Sequence, residues 1–155
     1  MRLAGILENL EVGDVLVINS RGVDVFDFSF ADELFGKTLR AFGTQYPGRF
    51  VIVENLTDST SENLVKALES LNLMVIERTK GKLGLLGKVH PADEETFAEV
   101  VRSGGISAAA LSKKLNVNAT AMNERLAKLT NLGLVRREKG SSASGREQFV
   151  YRVLG

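Results

Sequence analysis

With 155 residues, 44% of them hydrophobic and 25% charged, the chain has the composition of an ordinary globular protein of one domain or two small ones. It contains no cysteine, which excludes disulfides and thiolate metal sites and fits a reducing cytosol. No apolar run of roughly 18 residues is present to span a membrane, and Met1-Arg2-Leu3 leads into an amphipathic stretch without the basic-then-apolar pattern of a secretory signal. Net charge is only +1 but uneven: residues 1–90 sum to −2, residues 91–155 to +3, and from Ser103 onward nine Lys/Arg face three Asp/Glu.

Leu3 to Leu10 fits a strand or a short helix, and Val12-Gly13-Asp14 a turn. Val15-Leu16-Val17-Ile18 predicts a buried strand by its β-branched run, and Val23 to Phe28 a half-buried one by alternation of apolar and acidic residues. Ser29 and Asp32 have the spacing of a capping box for a helix whose core face is Phe30, Leu34, Phe35, Leu39 and Phe42, ended by Gly43 and Pro47-Gly48. Phe50 to Val53 predicts a third strand. Ser59 and Glu62 predict a second capping box ahead of Leu64, Val65, Leu68 and Leu71 on one helical face. Leu73 to Ile76 and Leu83 to Leu86 complete the strands. Strands alternating with helices imply an α/β sandwich with parallel pairs.

The stretch Asp27-Phe28-Ser29-Phe30-Ala31-Asp32-Glu33-Leu34-Phe35-Gly36 resembles the Ser-Phe-Ala-Asp-Glu-Leu-Phe-Gly motif of the STAS-like family, related to sulfate-transporter and anti-sigma-factor-antagonist domains. The resemblance implies a regulatory domain that dimerises, senses or docks a protein partner. It also makes Ser29 the counterpart of the serine that a partner kinase phosphorylates in those antagonists. Asp27, Asp32 and Glu33 would crowd a phosphate there with like charge, and a plain N-cap is the simpler role for Ser29.

Lys88 to Pro91 reads as a linker, so residues 1–88 form one domain, 89–91 the connection and 92–155 a second domain. Pro91 suits the first turn of a helix from Ala92 to Arg102, which carries the acidic group Asp93, Glu94, Glu95 and Glu99. Its apolar residues Phe97, Val100 and Val101 are one candidate dimer interface. Ser107 caps a short helix bearing Leu111 and Leu115; Asn116-Val117 turns; Asn118 caps a second helix with Met122, Leu126, Leu129 and Leu132 as its stripe, closed by Gly133. Leu134 to Arg137 and Gln148 to Val153 are strands flanking a Gly/Ser tract.

Helix, turn, helix, strand, basic loop, strand is the order of a winged helix-turn-helix, and the segment resembles repressors of the MarR and ArsR type. That resemblance implies a prokaryotic, cytoplasmic regulator that binds double-stranded DNA as a homodimer. Opposite the stripe lie Thr120, Glu124, Ala127 and Asn131, flanked by Asn118, Ala119, Asn123 and Lys128. Thr120 and Asn123 are short polar groups that can reach base edges, whereas a carboxylate at Glu124 can accept from cytosine N4 but costs affinity near phosphates. Arg136, Arg137, Lys139, Ser141, Ser142 and Arg146 supply phosphate-binding groups on the wing. Two copies are needed because one winged helix buries too little surface for useful specificity.

No enzyme, cofactor or metal is expected. Ala31 to Thr38 fits a relaxed phosphate-loop pattern, but its residues carry a helix's own apolar stripe and two carboxylates. His90 is the sole histidine and sits in the linker. The alternative to DNA binding is a partner-switching protein whose winged helix docks protein.

Overall fold

The computed structural model describes residues 8–20, 39–141 and 147–154. Two sheets organise them in a mixed α/β architecture with a C-terminal winged helix. The first sheet holds β1 (Val15–Asn19), β2 (Phe50–Glu54), β3 (Met74–Thr79) and β4 (Lys82–Gly87) in that spatial order. β1, β2 and β3 run parallel, with Leu16 paired to Val51 and Ile52 to Ile76, and β4 returns antiparallel to β3. Lys80 and Gly81 make that reversal with φ of 52° and 78°, the two-residue turn whose twist matches its strands. β1 differs from its expectation: it is half-buried rather than buried, with Val17 37% exposed.

β2 joins the two halves of the chain. Phe50-Val51-Ile52-Val53 is apolar at every position and none of the four exceeds 4% exposure. A strand covered on one face alternates; this one is buried on both. Val51 and Val53 pack with Val75 against Leu64, Ala67 and Leu68 of α2 (Asp58–Ser70), after α1 (Phe42–Gln45) in the chain. Phe50 and Ile52 share the opposite face with Met74 and Ile76. That face is covered by Phe97 and Val100 of α3 (Pro91–Ser103), Leu111 of α4 (Ala108–Leu115) and Met122, Leu126 and Leu129 of α5 (Ala119–Asn131). The C-terminal helices are therefore a layer on the N-terminal sheet. Phe97 and Val100, a candidate dimer interface by sequence, are instead 2% and 0% exposed inside this core, because the sheet supplies the surface they bury against.

Two expected helix boundaries shift. Of the expected terminators Gly43 and Pro47-Gly48, Gly43 lies inside α1, which follows a single tight turn at Leu39–Ala41 and ends at Gln45, just ahead of Pro47. Gly43 serves a close approach, since a Cβ there would lie 1.8 Å from the carbonyl oxygen of Thr130. α2 is capped by Thr57, not Ser59. Thr57 accepts from the backbone N–H of Thr60 (3.1 Å) and its own N–H donates to Thr60 Oγ1 (2.7 Å), a capping box built from two threonines. Starting there places Asp58 in the first turn, where a carboxylate suits the dipole. The expected strand Val23–Phe28, the helix start at Ser29, the STAS-like motif and the relaxed phosphate-loop stretch Ala31–Thr38 lie outside the described residues.

The second sheet has the order β5 (Ile106–Ser107), β7 (Glu147–Arg152), β6 (Arg136–Ser141). β5 is an addition to the sequence expectation: two residues, paired Ile106 to Tyr151 and Ser107 to Val150, close the winged-helix sheet from the far side. Two residues are too short to carry a periodic signal.

Candidate nucleic-acid interface

The helix-turn-helix is held by local chemistry. Ser107 Oγ accepts from the N–H of Ala110 (3.2 Å) and Asn118 Oδ1 from that of Ala121 (2.8 Å), each satisfying an otherwise open donor in a first turn. Asn116 takes φ 54° at the turn, and Gly133 takes φ 75° after α5. Gly133 also has a packing reason, because a Cβ there would lie 2.2 Å from Cδ1 of Phe42. With Met122, Leu126 and Leu129 fully buried, α5 turns Asn118, Ala119, Thr120, Asn123, Glu124, Ala127, Lys128 and Asn131 to solvent.

Charge is distributed less simply. The acidic face of α3 grips cations of both neighbouring helices: Asp93 holds Lys128 of α5 (2.8 Å), Glu95 holds Arg125 (3.7 Å) and Glu99 holds Lys114 of α4 (2.6 Å) together with Arg102 (3.0 Å). The hydrogen bond from Lys114 keeps the Glu99 carboxyl below its ordinary range; burial opposes this, and the charges of Arg102 and Lys114 add to the lowering. Lys128, placed among the exposed groups of the recognition helix by sequence, is thus tied back to α3. The exposed face of α5 carries one carboxylate, Glu124, and no unpaired cation among the described residues.

The wing sorts its residues by alternation. Arg136 points inward: its side chain is 15% exposed, pairs with Glu138 (3.4 Å) and lies against Gly13 and Gly48 of the N-terminal half. Arg152 also pairs with Glu138 and donates to the carbonyl of Gly104 (2.6 Å). Arg137 and Lys139 face out, and the Arg137 guanidinium stacks over the ring of Phe149 at 4.2 Å. Ser141 ends β6; Ser142, Arg146 and Ser29 lie outside the described residues. Two surface residues went unnoticed in the sequence. Lys113 is exposed off the Leu111 stripe of α4, and Phe149 is exposed although alternation puts it on the strand face of the buried Tyr151, so no local pattern marks it as surface.

A cleft of about 470 Å³ separates the wing root from the N-terminal turns, with Pro47, Gly48 and Arg49 on one side and Thr130, Gly133 and Arg136 on the other. Arg49 spans its own side, donating to the carbonyls of Leu10 (2.9 Å) and Pro47 (3.0 Å). No group of three or more potential metal ligands occurs among the described residues, and no described helix is long and apolar enough to cross a membrane.

Residues 98–151 match the family model of the winged helix DNA-binding domain, a span that takes in β5, both helices of the helix-turn-helix and the wing. No curated protein matches the chain. Among solved structures, a "possible transcriptional regulator" from Methanosarcina mazei Go1 is similar at 18% identity and a TM-score of 0.38, over 54% of this chain and 76% of that one. A likeness that loose transfers no property from that protein. The C-terminal third of the chain folds as a winged helix.

Proposed function

We propose that the protein is a DNA-binding transcriptional regulator of the prokaryotic cytoplasm, acting by binding rather than catalysis, in which two chains place α5 in successive major grooves. The observation that carries this is the exposed face of α5 within a segment matching the winged helix DNA-binding domain: small or uncharged hydrogen-bonding residues cluster at the helix's N-terminal end, where base edges are reached. Thr120 and Asn123 read bases; Asn118 and Ala119 allow close approach, with Asn118 also capping the helix. Glu124 selects for a cytosine amino group. Arg137, Lys139, Ser141, Ser142 and Arg146 bind phosphates from the wing, and Lys113 joins them from α4. The N-terminal half, taken as STAS-like, dimerises, senses or docks a partner.

Sequence preference tests the reading. Binding to DNA from the gene's own upstream region should exceed binding to a random duplex, and Asn123→Ala should lower that ratio by about five- to tenfold, the effect of one lost base contact at about 1 kcal/mol or more. Equal affinity for both duplexes in the parent protein would defeat it. The alternative is a protein-docking winged helix, favoured by one observation: Arg125 and Lys128 are neutralised by α3, leaving Glu124 as the charge on the α5 face. Docking of that kind would show weak dependence on salt.

A further inference from the structure

Among the wing's described arginines, two are tied to a carboxylate and one is not. Arg136 and Arg152 share Glu138, whereas Arg137 lies over the Phe149 ring at 4.2 Å. The difference is chemical. A salt bridge occupies some of the guanidinium's in-plane donors and fixes its direction toward the carboxylate, but stacking engages only its π face and leaves every N–H at its rim free to donate. The strand register places Lys139 directly opposite Phe149, with Arg137 two residues away along the same strand, so the ring sits between the wing's two outward cations. Phe149 itself is 41% exposed, so it contributes little to the core.

We infer that Phe149 is a positioning residue for nucleic-acid binding, holding the Arg137 guanidinium in one orientation with its donors open to a phosphate or groove edge. This rests on the DNA-binding reading above. An arginine restrained before binding gives up less rotamer freedom on contact, so the ring raises affinity without touching the nucleic acid. Leucine keeps the apolar bulk and lacks the π face; tryptophan keeps the face.

A double-mutant cycle on a random duplex at low salt tests it by fluorescence anisotropy, with Phe149→Leu, Arg137→Ala, the pair together and Phe149→Trp. Phe149→Leu should weaken binding about two- to fivefold, and Phe149→Trp should retain full affinity. Arg137→Ala should also lower the magnitude of the log–log salt slope by about 1.8, one phosphate contact from each of the two chains. In the Arg137→Ala background Phe149→Leu should change nothing, because the group it positions is gone. Equal losses in both backgrounds would make Phe149 a structural residue only, and no loss in the parent background would also overturn the inference. If the parent protein binds no duplex at all, the DNA-binding reading falls first and this inference with it.

Discussion

Gly43 has an ordinary helical role by sequence and an extraordinary neighbour in space, the backbone of Thr130 at the end of α5. In a free helix glycine to alanine stabilises by about 1 kcal/mol. Here the added methyl would occupy space held by a carbonyl 1.8 Å away, so Gly43→Ala should destabilise by about 2 kcal/mol or more, read as a lower urea midpoint. A rise in the midpoint would show that α1 and α5 do not touch as described. Gly133 makes the complementary contact with Phe42, but its positive φ adds strain to any substitution, which makes Gly43 the cleaner probe. The capping role of Gly133 was legible from its place after the apolar stripe. The contact with Phe42 was not, since nothing local in the chain couples residues 42 and 133.

At the scale of elements, the caps of α4 and α5 and the proline start of α3 could be read directly, because Ser107, Asn118 and Pro91 act on their own first turns. Asn118→Ala should cost about 1 kcal/mol of stability by loss of the bond to Ala121. The start of α2 was misread because Thr57/Thr60 and Ser59/Glu62 both have capping-box spacing, and the choice follows from the complete burial of Thr60, a tertiary fact. The α3 clamp was illegible for the same reason: the sequence shows acids on one helix and bases on two others without their facing. Glu99 gives the clamp a pH signature. Its carboxyl is lowered from 4.5 in the folded protein, so its contribution to stability is present above that value and is lost as pH falls through the lower folded one. Glu99→Gln should therefore be less stable than the parent at pH 7, with the gap closing in acid. A gap independent of pH would rule out the carboxylate as its source.

The whole molecule is shaped by a sheet with two covers. The sequence marked Phe50–Val53 only as a strand; which elements cover its two faces, α2 on one and the winged-helix core on the other, is a tertiary fact that no local pattern carries. Because Phe50 and Ile52 share one core with Phe97 and Leu126, the two halves should unfold in a single transition. Leu126→Ala should lower it by about 2–5 kcal/mol and carry the N-terminal sheet with it; separate transitions would contradict the shared core. The same packing removes Phe97 and Val100 as a dimer surface and returns Arg125, Lys128 and Lys114 to α3, so within the described helix-turn-helix and wing the outward cations not held by α3 are Lys113, Arg137 and Lys139. Adding Arg146, two chains would offer about eight phosphate contacts, and anisotropy titrations of duplex binding against salt measure that number directly. The account predicts a log–log slope near −7, falling in magnitude by about 5 when Lys113, Arg137 and Lys139 are all changed to alanine. A slope close to zero, or no binding to duplex at low salt, would contradict it.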